Sequence, residues 1–125
     1  MATVTSHMNL MTASDLKDTK VKNGANEDLG KIHDFMMHLD SGKIAYAVLS
    51  FGGVLGIGNK LFAVPWPAIS LDRDRRELIL DVDKERLKNA PGFDKDSWPD
   101  MAKTEWGENI HKFYGQTYSP TDWQR

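Results

Sequence analysis

Three Asp-x-Asp pairs, Asp72-Arg-Asp74, Asp81-Val-Asp83 and Asp94-Lys-Asp96, are where carboxylates crowd closely enough to bind calcium or move protons. None completes a site. The third comes nearest to a calcium loop, with Glu105 twelve positions in, but Trp98 and Pro99 stand where a ligand and the hinge glycine belong. Turn formation and helix capping account for these aspartates. Of the four histidines, His33 and His38 lie five apart on one predicted strand and would face opposite ways, while His111 falls on the polar flank of a predicted helix. The chain has no cysteine and no His-x-His, His-Glu-x-x-His or Cys-x-x-Cys spacing, so no metal and no cofactor is expected. Ser50 has a glycine two residues after it but Val48 two before, which is not a nucleophile elbow, and no catalytic residue is assigned.

The run Gly52-Gly53-Val54-Leu55-Gly56-Ile57-Gly58 invites a phosphate-loop reading, because bare amides beside glycines cradle anions. Its spacing is wrong, and Leu61-Phe62-Ala63-Val64 after it reads as a strand where a phosphate site needs a helix N-terminus. Three large apolar side chains on a turn, Val54, Leu55 and Ile57, point instead to contact with another protein. Arg73, Arg75 and Arg76 alternate with Asp72, Asp74 and Glu77, a mixed-charge turn without long electrostatic reach.

These residues must be positioned by one domain, since 125 residues leave no room for a second full-sized core. A net charge of −2 makes nucleic acid a poor partner. Without cysteines the core must stand on packing alone, which fits a reducing compartment. No stretch has the roughly 20 apolar residues of a membrane span, and residues 1–10 lack a signal's apolar segment. The expected location is the cytoplasm.

Residues 1–8 have no period and are left outside the fold. Strands are predicted at 19–22, 30–39, 43–51, 60–64 and 77–82, with hairpin turns at Asn23-Gly24-Ala25-Asn26 and Asp40-Ser41-Gly42. Pro65-Trp66-Pro67 ends the fourth strand by removing ladder donors. Short strands without βαβ alternation predict an all-β antiparallel fold, a small barrel of about six strands. After Val82, Asp83 is placed to cap a short helix over 84–89, and a Pro-, Gly- and Asp-rich link follows. From 103 to 114, Trp106, Ile110, Phe113 and Tyr114 share one helical face, with Gly115 as terminator. The expected organisation is a barrel over 9–83 and a C-terminal helical tail over 84–125, packed on the barrel or on a partner.

The third strand is apolar on both faces, with Ile44, Tyr46 and Val48 on one and Ala45, Ala47, Leu49 and Phe51 on the other. Its outer face must therefore meet the C-terminal helix or another chain.

Several runs together resemble the PRC-barrel family: Ala13-Ser14-Asp15-Leu16, Gly30-Lys31-Ile32-His33-Asp34, the stretch from Gly42 to Gly53, Leu55-Gly56, and Phe62-Ala63-Val64-Pro65-Trp66. That family is named for the cytoplasmic barrel of the photosynthetic reaction-centre H subunit, and its fold also forms the C-terminal domain of the bacterial ribosome maturation factor. The likeness covers about residues 11–83. It implies a strongly bent antiparallel sheet of about six strands, and an adaptor without shared catalytic residues.

The expectation is a non-enzymatic protein-interaction module, self-associating as a homodimer through Phe51, Val54, Leu55, Ile57 and Trp66. Two alternatives remain at this point. One is an accessory protein held peripherally at a photosynthetic reaction centre or another membrane electron-transfer complex. The other is a small ligand-binding protein or enzyme with a pocket between barrel and helix, lined by Trp66, Trp98 and His111.

Overall fold

The computed structural model describes residues 10–52 and 60–119. In chain order the elements are α1 (Ala13–Leu16), β1 (Lys20–Lys22), β2 (Asp28–Met37), β3 (Ile44–Phe51), β4 (Lys60–Pro65), a 3₁₀ turn (Trp66–Ala68), β5 (Ile69–Asp72), β6 (Glu77–Leu80), α2 (Lys84–Lys88) and α3 (Thr104–Phe113). The six strands form one sheet in the order β4-β3-β2-β1-β6-β5. β4 and β5 stand at its two ends, yet only the three residues of the 3₁₀ turn separate them in sequence. In a flat sheet their axes would lie about 24 Å apart, whereas that link reaches at most about 14 Å. The sheet must curl, and it forms a half-barrel.

Two features depart from the sequence-based expectation. The sheet is mixed: every neighbouring pair is antiparallel except β1 and β6, which run parallel with Val21 opposite Leu78. A further strand, β5, occupies 69–72, where four residues are too few to show alternation in the sequence.

The bend is written into β2. Strict alternation would send Leu29 and Ile32 to opposite faces, yet both are fully buried in the same core, with Phe35 packed against it. An extra residue lies between each pair. The β1 register slips between Lys20 and Lys22, opposite Gly30, and the β3 register slips at His33. Each bulge resets the phase and adds local twist, so inward positions recur every third residue here. Gly30 sits at φ +96°, and a Cβ there would collide with the Ser50 carbonyl oxygen of β3. The Asp28 carboxylate accepts the Gly30 amide at 2.9 Å and holds the kink.

Two cores result. The inner one joins Val21, Leu29, Ile32, Leu49, Phe62 and Leu78 to Leu87 of α2. Leu87 is fully buried, so the barrel unit extends beyond residue 83 to include α2. Asp83 begins α2 through its backbone, its carbonyl accepting the Leu87 amide at 2.9 Å, while its side chain makes no cap bond. The outer core joins Tyr46 and Ala63 to Met101 and Ile110, with Trp106 at its rim. α3 thus covers the outer face of β3, and the need for a cover on that strand is met within the chain. α3 closes in a Schellman arrangement: the Gln116 amide donates to the His111 carbonyl at 2.8 Å and the Gly115 amide to that of Lys112 at 3.1 Å.

The β1–β2 hairpin is tied to the segment that follows β6 by Asn23, a buried side chain. Its Oδ1 accepts the Ala25 and Glu27 amides at 3.0 and 2.9 Å, and its Nδ2 donates to Glu27 Oε1 at 2.7 Å and to the Val82 carbonyl at 3.1 Å. Asn23→Ala strands the two amides and the Val82 oxygen. It is expected to cost about 2 kcal/mol, read as a lower urea midpoint at unchanged slope.

Candidate functional site

The corner after β4 begins with Pro65, and the 3₁₀ turn closes when the Ile69 amide donates to the Trp66 carbonyl. This leaves the Trp66 indole half-buried, edge-on to Phe35 with ring centroids 5.9 Å apart. β5 follows at once and carries Leu71, 45% exposed. Its hairpin to β6 is shaped by Asp72, whose Oδ1 accepts the Asp74 and Arg75 amides at 3.1 and 3.3 Å, and Arg76 turns at φ +56°. From the other side comes α1. Thr12 caps it by accepting the Asp15 amide at 3.1 Å, and the Thr19 hydroxyl donates to the Asp15 carbonyl at 3.1 Å.

Together these elements enclose an apolar groove of about 290 Å³. Leu10, Met11, Leu16, Ile44, Trp66 and Leu71 line it, with Thr19, Arg73 and Arg76 as its polar members. None of the α3 residues contributes.

A second hollow of about 490 Å³ lies where the β2–β3 hairpin meets residues 99–102, lined by Met36, Met37, Leu39, Tyr46, Pro99 and Met101 among others. At the hairpin tip Leu39 is 93% exposed and Met37 49%. A leucine so fully presented to water beside a methionine-lined hollow is the most conspicuous apolar feature of the described surface.

The sequence-predicted interface residues are dispersed. Phe51 is buried in the inner core, 6.4 Å from the Phe62 ring, and offers no surface to a partner, a correction that follows from its inward register. Val54, Leu55 and Ile57 lie outside the described residues. Trp66 does line a groove, but at the other end of the β3–β4 hairpin: Phe51 pairs with Lys60 at one end, and Tyr46 with Pro65 at the other. Those six-residue runs are roughly 17 Å long, so one patch does not unite both ends.

The hollow that Trp66 lines includes neither Trp98 nor His111. Trp98 packs on Phe93 (5.1 Å) and stands 6.5 Å from the His33 ring. His111 is buried, against the expectation of a polar flank. It packs edge-on to Tyr46 and Tyr118, and its Nδ1 lies 2.8 Å from the Gly107 carbonyl. A carbonyl only accepts, so Nδ1 carries the proton. His33 occupies a bulge and His38 follows the strand end, which undoes the parity count applied to them. Among the described residues no three His, Asp or Glu side chains group as metal ligands. Burial pushes the phenols of Tyr46 and Tyr114 well above the ordinary tyrosine value near 10, which keeps both protonated.

Leu71 and Leu39 were missed by sequence reasoning, and Arg73 and Arg76 were set aside there as part of a mixed-charge turn. The signal for Leu71 was the Ile69-x-Leu71 alternation between Pro67 and the charged turn, two apolar positions in a segment too short to stand out. For Leu39 it was a leucine placed next to the Asp40-Ser41-Gly42 turn.

No curated protein matches the sequence. A family model described as the PRC-barrel domain matches residues 8–87, which runs from just before α1 through Leu87 of α2 and leaves α3 as an addition. The half-barrel, its bulged long strand and that match over well more than half of the chain agree, and the chain belongs to the PRC-barrel domain family.

Proposed function

We propose that this protein is a non-enzymatic interaction module whose partner is a second copy of itself. The observation that carries the reading is the exposed Leu39 beside the hollow formed by Met36, Pro99 and Met101. A projecting side chain and a hollow adjacent on one surface suit a two-fold interface, in which each Leu39 enters the other copy's hollow. Met37 and the chain around residues 99–102 would supply the surrounding contact toward the roughly 800 Å² per partner that a stable pair buries. The outer face of β3 makes no demand for a partner, being covered by α3. Binding is favoured over catalysis because, among the described residues, the first hollow has no carboxylate or histidine in its lining, and the second, though it includes His38, Asp40 and Asp100, has no serine, threonine or cysteine beside them to activate.

Light scattering on the full chain tests the reading. The expected result is a dimer mass for the natural protein and a monomer mass for Leu39→Asp, with the thermal midpoint of the folded barrel shifted by less than about 2 °C once measured at equal monomer occupancy. A natural protein that is monomeric at about 100 µM, the concentration range in which a weak pair assembles, overturns it.

A further inference from the structure

The Trp66 groove is chemically unlike the hairpin tip. Its walls are apolar, while two arginines, Arg73 and Arg76, stand among its lining residues. Of the carboxylates nearest in sequence, Asp72 accepts backbone amides of its own turn, Glu77 faces Lys22 at 3.7 Å, and Asp74 makes no ion pair with either arginine. Arg75, between them, turns away to donate to Asn26 Oδ1 at 3.0 Å. Among the described residues neither the Arg73 nor the Arg76 guanidinium has an ion-pair or hydrogen-bond partner. The turn as a whole is of mixed charge, but the groove lining takes Arg73 and Arg76 from it and no carboxylate, so the slot itself carries positive charge on a chain whose net charge is −2.

We infer that this groove binds a medium-chain carboxylate, its alkyl chain lying between Trp66 and Leu71 and its head group held by Arg73 and Arg76. Guanidinium is the side chain best fitted to a carboxylate, because its N–H groups meet both oxygens in parallel. The volume of about 290 Å³ sets the length. At about 30 Å³ for each small group, the share a water takes in the liquid, the groove holds roughly ten such groups. A decanoate-sized chain therefore fills it, and a much longer chain would leave its end in water. The site is separate from the hairpin tip, shares no residue with it, and stands or falls independently of self-association.

Titration of the ¹⁵N-labelled full chain with decanoate below its micellar range tests the inference, with decanol and decyltrimethylammonium as head-group comparisons. Decanoate is expected to saturate and to shift the Trp66 indole N–H, the Leu71 amide and the Arg73 and Arg76 Nε–H signals. Decanol is expected to bind at least ~10-fold more weakly, and the cation more weakly still, as loss of a charge-assisted pair implies. In Arg73→Gln/Arg76→Gln, an exposed pair whose loss leaves the melting temperature in place, decanoate falls to the level of decanol. Equal binding of acid and alcohol overturns the inference, as do shifts clustered away from the groove. A peptide with an apolar C-terminus that binds there when decanoate does not also overturns it, and moves the groove to a protein partner.

Discussion

Gly30→Ala is expected to lower stability by about 3 kcal/mol or more and the melting temperature by roughly 12 °C. Two costs add. The φ of +96° is left-handed, which disfavours an alanine by about 1–2 kcal/mol. Its Cβ would also collide with the Ser50 carbonyl oxygen, a backbone atom of the neighbouring strand that cannot swing aside. β2 and β3 would have to separate where the sheet bends most. Gly42→Ala supplies the comparison, since Gly42 is also left-handed at φ +76°, but among the described residues nothing lies within 4 Å of where the new methyl would sit. Its loss is expected to stay near ~1 kcal/mol. Chemical denaturation of the two variants separates conformational from steric cost, and equal losses would show that the Ser50 contact does not matter.

Ile110→Asp is expected to undock α3 while the half-barrel stays folded. Ile110 is buried between Tyr46, Ala63 and Met101, and a carboxylate there has no partner. Truncation of such a side chain alone costs about 2–5 kcal/mol, and an unpaired charge adds to it. Detachment of α3 is the cheaper response, because few of its contacts belong to the inner core. The measurements are loss of helical ellipticity, a red shift of the Trp106 emission as its edge-on contact with Tyr46 (5.2 Å) is lost, and new binding of a hydrophobic dye to the bared face of β3. Amide protection of Val21, Ile32 and Leu78 should persist. Ile110→Leu keeps volume and is expected to lose under about 1.5 kcal/mol. Unchanged ellipticity and dye binding in Ile110→Asp would mean that α3 does not depend on this contact.

The strands were legible in the sequence to within two residues at most ends because β-branched and aromatic runs bounded by Gly, Asn and Pro carry their own punctuation. β3 and β4 were clearest, as Ala45 to Phe51 and Leu61 to Val64 leave no other reading. The helix around Ile110 was equally plain, its apolar residues falling on one face. What could not be read is what depends on pairing. The parallel contact of Val21 with Leu78 is a property of two distant segments, and the bulges at Gly30 and His33 exist only relative to the strands opposite. Those bulges misled the face assignment of β2 and hence of His33. His111 looked polar by type, and its burial follows from the return of the chain over α3, where Tyr118 closes on it at 5.1 Å. The groove was half visible. Trp66 stood out as a proline-flanked aromatic, but its opposite wall comes from β5 and α1, and no local pattern connects Leu71 to Leu16.

The parallel β1–β6 contact has a consequence for the order of events during synthesis. β1 is made early, but one of its two neighbours is not translated until Glu77 to Leu80, so Val21 waits for a residue 57 positions later, from 21 to 78. Until then a nascent chain on the ribosome holds β1 with one edge bare and the inner leucines unshielded, and closing so long a loop comes before the contacts that reward it. The half-barrel is therefore a late product, completed only when α2 has cleared the exit tunnel and Leu87 can seat.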